Sequence, residues 1–218
     1  MTHNVNMNKN VFKIIFFWFL AHASIWMIFF TLISHSSLFI SMAYFASLCL
    51  VFIYLFKDIF IDLIAKTKRQ DVILIIISLS LHAITYWICN QYLTAPLELM
   101  KTSTASFIQV SSYFIWAKPL DSLLQQIMIV VLVTKLSKQN VRMRSIAIFL
   151  ATLFGVTHIF SMVYIKLEVM LLVTLATTLF ALFIPYLLLK VRNGYLYTFM
   201  IHLALVDLAA LLFWGMLG

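Results

Sequence analysis

The chain has 218 residues, of which 64% are hydrophobic and only 10% are charged, and its formal net charge is +8. Soluble domains average roughly 45–50% apolar and about 25% charged residues, so the composition excludes a soluble globular protein or a separate soluble domain. The mean hydropathy of +1.07 indicates one integral membrane domain over residues 1–218, an all-α bundle of transmembrane helices.

The apolar runs predict about seven membrane spans, because each is close to the ~20 residues that cross a bilayer. In chain order they are residues 11–33, 38–56, 72–88, 119–136, 145–164, 169–189 and 194–216. The segment Phe107–Trp116 is apolar but too short to cross alone. It predicts an extra half-helix at about 107–117, with Pro119 in the first turn of the span that follows.

The basic residues predict the orientation of this bundle. Twelve of the 15 lie in segments on the side of the N-terminus, whereas Lys101, Lys118 and Lys166 lie on the other side. Lysine and arginine are enriched in cytoplasmic loops, so the N-terminus is predicted inside and the C-terminus outside. The net charge is therefore a topology signal that also attracts anionic lipid, and nucleic-acid binding is excluded. Without a cleavage site after the first span, we expect a prokaryotic inner-membrane protein.

Polar side chains deep inside the later spans are the candidate functional residues. Ionisable groups at such depth cost a few kcal/mol and usually face a partner or a wet cavity. Converging from three helices, these side chains can position a water for hydrolysis, or form a hydrogen-bond network that holds the helices together. The set comprises Asp121, Ser122, Gln125, Gln126, His158, His202 and Asp207.

Several spacings refine this set. Asp121 and Gln125 are four residues apart, as are Ser122 and Gln126, so each pair shares a helix face. Another intramembrane histidine, His82, is predicted to bond to a neighbouring helix, and would extend the cluster if the third span packs beside the fifth. The two cysteines lie in separate spans without metal-like spacing, so neither a metal nor another cofactor is expected.

The order of these residues resembles the CAAX-protease and bacteriocin-processing (CPBP) family of intramembrane endopeptidases, over about residues 107–216. That family carries Glu-Glu-x-x-x-Arg, Phe-x-x-x-His and His-x-x-x-Asn on successive apolar helices. The segment Phe154–His158, Phe-Gly-Val-Thr-His, fits the second motif, and Lys118-Pro119-Leu120 leads into the position of the first. The segment Asn193–Tyr197 is similar to the usual lead-in to the third motif.

Carried over position by position, the first and third motifs are degenerate. The glutamate pair becomes Asp121 and Ser122, and the arginine becomes Gln126. The asparagine position is Val206, and Asp207 follows it, rotated about 140° from His202 on an ideal helix.

The resemblance implies roles for these residues and a function. In the family's mechanism a glutamate and the first histidine activate a water, while the last histidine and asparagine stabilise the oxyanion. It therefore implies a metal-free peptidase in which Asp121 and His158 act on water and His202 acts on the oxyanion. Its partners would be membrane lipids and a peptide or membrane-protein substrate.

Two alternatives stay open. Loss of the glutamate pair and the arginine favours a catalytically inactive relative, acting as a membrane scaffold or assembly partner. Intramembrane aspartate and histidine also form proton relays, which is typical of a small proton-coupled transporter. Against the transporter, no inverted repeat is seen in the sequence.

Overall fold

A computed structural model describes residues 2–34, 36–94, 110–161 and 167–217. Within these ranges the chain forms eight α-helices, and a π-helical turn, Phe29–Ile33, extends the first of them. They are α1 Thr2–Ile28, α2 Leu38–Leu55, α3 Lys57–Ile64, α4 Arg69–Tyr92, α5 Ser112–Lys138, α6 Met143–Ser161, α7 Leu167–Lys190 and α8 Gly194–Leu217.

Six helical segments are long and apolar enough to cross a membrane. They are Lys9–Ile33, Leu38–Leu55, Arg69–Tyr92, Ser112–Lys138, Met170–Lys190 and Gly194–Gly215, and the apolar stretch of α6, Met143–Ile159, is shorter. The prediction of a multi-span helical membrane bundle is therefore confirmed.

Helix α5 lies at the centre of the bundle. In its most apolar stretch 67% of the residues are buried, against 17–33% in the other five long segments. Its run Ile127–Val133 is buried on every side, as expected of a helix that is apolar all round. Trp18 Nε1 of α1 donates to the Met128 carbonyl at 2.9 Å, and α2 and α8 also pack against α5. The polar side chains of Lys118, Asp121, Ser122 and Gln126 on α5 are thus held inside protein.

The expected half-helix at 107–117, followed by a new helix beginning at Pro119, was wrong where the structure describes it. A single helix runs from Ser112 through Pro119 to Lys138, and the Ser111 hydroxyl accepts from the Tyr113 N–H at 3.3 Å at its start. Proline removes one backbone donor, and membrane helices tolerate this because neighbouring helices support the chain. Residues 107–109 lie outside the described residues.

A polar junction joins the start of α4 to the turn between α7 and α8. Asp71 accepts from the Lys68 N–H at 2.7 Å and from the Asn193 side-chain amide. Asn193 has a positive φ of 57°. Gly194 follows it where an added Cβ would lie 1.7 Å from the Leu187 carbonyl oxygen, so only glycine fits. This junction sets α8 beside α4 and next to α5.

Candidate functional site

Asp121 is fully buried in α5, at 0% exposure, and both of its carboxylate oxygens accept hydrogen bonds from the same helix. Lys118 Nζ donates to Oδ2 at 2.6 Å, and Gln125 Nε2 donates to Oδ1 at 2.8 Å. The spacings i, i+3 and i, i+4 bring these groups together on one face. The ion pair has no net charge, which lowers the cost of burying it.

Lys118 is predicted in the segment before the fourth span, but the structure places it within α5. Its side chain is buried inside α5, at 6% exposure, beside Asp121. The physical reason is the carboxylate one turn further along the helix, which offsets the cost of removing the ammonium group from water. Lys118 is thus a site residue that the sequence interpretation missed, although its i, i+3 spacing to Asp121 was visible.

Gln126 of α5 and His202 of α8 form the link between those helices. Gln126 Nε2 lies 3.0 Å from His202 Nδ1. Because a carboxamide nitrogen can only donate, Nδ1 accepts, and the proton of the neutral ring is on Nε2. On the same face of α5, Gln126 Oε1 and Ser122 Oγ are buried without a hydrogen-bond partner among the described residues.

In His158 of α6 the ring proton is on Nδ1, whereas in His202 it is on Nε2. Its Nδ1 lies 2.8 Å from the Phe154 carbonyl oxygen, which can only accept, so Nδ1 carries the proton and Nε2 the lone pair. The Lys118 ammonium group is close enough to act electrostatically on both His158 and His202, and His158 acts on His202. The structure therefore brings side chains of α5, α6 and α8 into one polar region.

Asp207 does not bond to the side chains around Gln126 and His202, but to His82 of α4. Its Oδ1 lies 2.5 Å from His82 Nδ1 of α4, while His82 Nε2 lies 2.9 Å from the Phe114 carbonyl oxygen of α5. Both ring nitrogens of His82 are thus hydrogen-bonded, Nδ1 to the Asp207 carboxyl group and Nε2 to the Phe114 carbonyl oxygen. His82 bonds to neighbouring helices, as its position in the third span predicted. No signal in the sequence indicates this pairing, since the two residues are 125 positions apart.

A cavity of about 290 Å³ opens beside Gln126, between α3, α4, α5 and α8. Its walls are almost entirely apolar and include Leu123, Ile127, Leu196 and Phe199. Among the described residues, no three His, Cys, Asp or Glu side chains are grouped so that they could hold a metal ion.

Comparison with known proteins finds no relative of this chain. No protein-family model matches the chain, and no curated protein or solved structure matches it significantly. The resemblance to the CPBP family therefore stays a prediction that rests on the motif residues themselves.

Proposed function

We propose that the chain is a CPBP-like intramembrane endopeptidase that hydrolyses a peptide bond near the membrane by metal-free acid/base activation of water. The observation that carries the proposal is the complementary protonation of two histidines from different helices. His158 carries its ring proton on Nδ1, which bonds to the Phe154 carbonyl oxygen, whereas His202 carries its proton on Nε2, because its Nδ1 accepts from Gln126.

These groups can perform each step of amide hydrolysis. His158 Nε2 takes a proton from water as the water oxygen bonds to the peptide carbonyl carbon, which is general base catalysis. His202 Nε2–H and the Lys118 ammonium stabilise the negative charge that develops on the carbonyl oxygen. His158 then returns the proton to the leaving nitrogen as the C–N bond breaks, giving a carboxylic acid and an amine.

We assign Asp121 a different role from that of the family's glutamate, which activates the water. Its two oxygens already accept from Lys118 and Gln125 in a buried position, so we assign proton abstraction to His158 alone. Asp121 acts as a positioning residue: it holds the Lys118 ammonium and balances its charge in an apolar part of the bundle.

The proposed topology has seven crossings, with the N-terminus in the cytoplasm and the C-terminus outside, in a prokaryotic inner membrane. Helix α6 supplies the seventh crossing, since its 19 residues span ~28 Å at ~1.5 Å per residue, close to the bilayer core of ~30 Å. Twelve basic residues on one side support this orientation. Lys118, being buried in an ion pair, no longer counts among the outer charges.

The test uses purified full-length protein in liposomes. It is incubated with a mixture of hydrophobic peptides and membrane-protein fragments, and new termini are identified by mass spectrometry. Cleavage by the wild type that disappears in both His158→Gln and His202→Gln would support the proposal. Cleavage that persists in both variants, or no cleavage of any peptide by folded protein, would contradict it.

A second function is favoured by one specific observation. Asp121, the residue at the family's catalytic carboxylate position, is fully buried and occupied by Lys118 and Gln125. A catalytically inactive membrane scaffold would keep such an ion pair only to hold its helices. In a strain lacking the chromosomal copy, folded His158→Gln protein would then restore the phenotype fully, whereas a peptidase requires that it does not.

A further inference from the structure

Two turns at one end of the bundle are joined, and together they carry a group of basic side chains. The Arg192 guanidinium group connects the turns: Nη1 donates to the Lys66 carbonyl oxygen at 3.4 Å, and Nη2 lies 3.7 Å from Asp71 Oδ1. We call the basic residues of these turns the basic cluster; they are Lys66, Lys68 and Arg69 at the α3–α4 turn, and Lys190 and Arg192 at the α7–α8 turn.

Most of the positive charge of the basic cluster is not balanced within the described part of the chain. Its four members other than Arg192 are exposed, and none of them forms an ion pair with a described residue. The acid of this junction, Asp71, is buried and already accepts from Asn193. The exposed acids of α3, Asp58 and Asp62, form no ion pair with the cluster either. The cluster therefore has positive charge available for an anionic partner.

Exposed apolar side chains lie on both sides of the basic cluster along the chain. Ile61 and Ile64 of α3 precede it, and Val72 and Ile73 of α4 follow it. Helix α4 is long and apolar enough to cross a membrane, so its first turn lies where the apolar core of the bilayer meets the headgroups. A soluble anion would contact the cations and leave these apolar side chains in water. A phospholipid would cover both, with its phosphate on the cations and its acyl chains on the apolar side chains.

We propose that the basic cluster is a binding site for the headgroup phosphate of an anionic phospholipid, whose acyl chains lie against α3 and the first turn of α4. The phosphate offsets the repulsion between the cations of the two turns. Because these turns hold α4 next to α8, the bound lipid stabilises the position of α8, the helix that carries His202. This site goes beyond the proposed peptidase function and does not depend on it.

Lipid binding to purified full-length protein tests the site. The protein is stripped of lipid in detergent and mixed with equal amounts of phosphatidylglycerol and phosphatidylcholine, and bound lipid is counted by native mass spectrometry. The wild type should bind phosphatidylglycerol in preference. Lys66→Gln/Arg69→Gln should weaken this binding by roughly fivefold for each charge removed. Thermal unfolding checks that the variant folds, as expected for two exposed side chains without ion pairs. Equal binding of the two lipids by the wild type would overturn the proposal.

A matched control distinguishes a site from the general positive charge at this end of the bundle. Lys138→Gln/Arg142→Gln removes the same charge at the α5–α6 turn, where both side chains are exposed. That turn lies at the same end, since Lys135 Nζ is 5.6 Å from the centroid of the Phe56 ring, next to the start of α3. The control should change phosphatidylglycerol binding by less than about twofold. An equal loss in the two double variants would indicate diffuse attraction only and would overturn the proposal.

Two further measurements separate a lipid from other anions. Glycerophosphoglycerol, the same headgroup without acyl chains, should not displace phosphatidylglycerol at equal concentration. Displacement would make the cluster a site for a soluble phosphate and overturn the proposal. Ile61→Ser/Ile64→Ser keeps every charge and removes exposed apolar contacts, so it should weaken phosphatidylglycerol binding by several-fold. Unchanged binding in that variant would contradict the assigned position of the acyl chains.

Discussion

Two groups of polar side chains join helices in this bundle, and they differ in how completely their hydrogen-bonding atoms are used. In the His82–Asp207 pair, one ring nitrogen faces the carboxylate and the other the Phe114 carbonyl. Around Gln126 and His202, by contrast, Gln126 Oε1 and Ser122 Oγ are buried without partners among the described residues.

This difference distinguishes polar groups that hold helices together from polar groups that could serve a function. A satisfied network stabilises one arrangement of helices and needs no ligand. Unsatisfied buried atoms lower stability, and each one calls for an explanation such as a functional role or a bound water or ion. The His82–Asp207 pair therefore serves the packing of α4 against α8, and the proposed chemistry belongs to the region of Gln126, His158 and His202.

The largest expected effect compares two histidines. His158→Gln should lower the rate of peptide cleavage by about 10²–10⁴-fold, because it removes the proposed general base. His82→Gln is the matched control and should leave cleavage per folded molecule within a few-fold, since His82 lies in the other group. Cleavage kinetics on both variants, normalised to folded protein, measure this. An equal loss in the two variants would show that the groups act as one.

The next effect concerns stability. Asp207→Ala should lower the free energy of unfolding by about 2 kcal/mol, above the ~0.6 kcal/mol average for hydrogen bonds between membrane helices, because it leaves the buried His82 Nδ1 without a partner. The double variant His82→Leu/Asp207→Leu should recover most of that loss, since apolar replacement of a buried pair is often neutral. Detergent unfolding titrations of the wild type and both variants measure this. A double variant as unstable as Asp207→Ala would contradict the structural role of the pair.

A smaller effect is expected where α6 meets α7. Gly155 lies in the same motif as His158, and a Cβ there would come within 2.9 Å of Thr178 Oγ1. Gly155→Ala should cost about 1 kcal/mol through overpacking and should reduce cleavage by shifting His158. Adding Thr178→Ala removes the obstructing atom and should restore both. Thermal unfolding and cleavage assays on the three proteins test this, and a loss that Thr178→Ala does not reverse would speak against it.

The smallest effect has the opposite sign. Ser122→Ala removes a buried hydroxyl that has no partner among the described residues, so the free energy of unfolding should stay unchanged or rise by up to ~1 kcal/mol. Removing His82 from the satisfied pair should lower it. The same detergent titration measures both, and a clear loss of stability in Ser122→Ala would mean that its hydroxyl is bonded after all.

Local patterns in the sequence were enough to predict much of the fold. The predicted span 38–56 is close to α2, Leu38–Leu55, and the span 194–216 is close to α8, which begins at Gly194. Hydropathy is a property of consecutive residues, so helix positions are readable from it. Pro119 was misread as a helix start because its tolerance inside α5 depends on surrounding helices that no local pattern describes.

The sequence by itself determined the membrane class, the positions of the helices and the contacts within one helix, such as Asp121 with Gln125. Only the tertiary structure decided which polar groups meet across helices, pairing Gln126 with His202 over 76 residues and His82 with Asp207 over 125. The physical reason is that lipid and protein core are both apolar, so an intramembrane helix carries almost no pattern that says which face turns inward. Helix rotation is set by packing, and the partner of each buried polar group follows from that rotation.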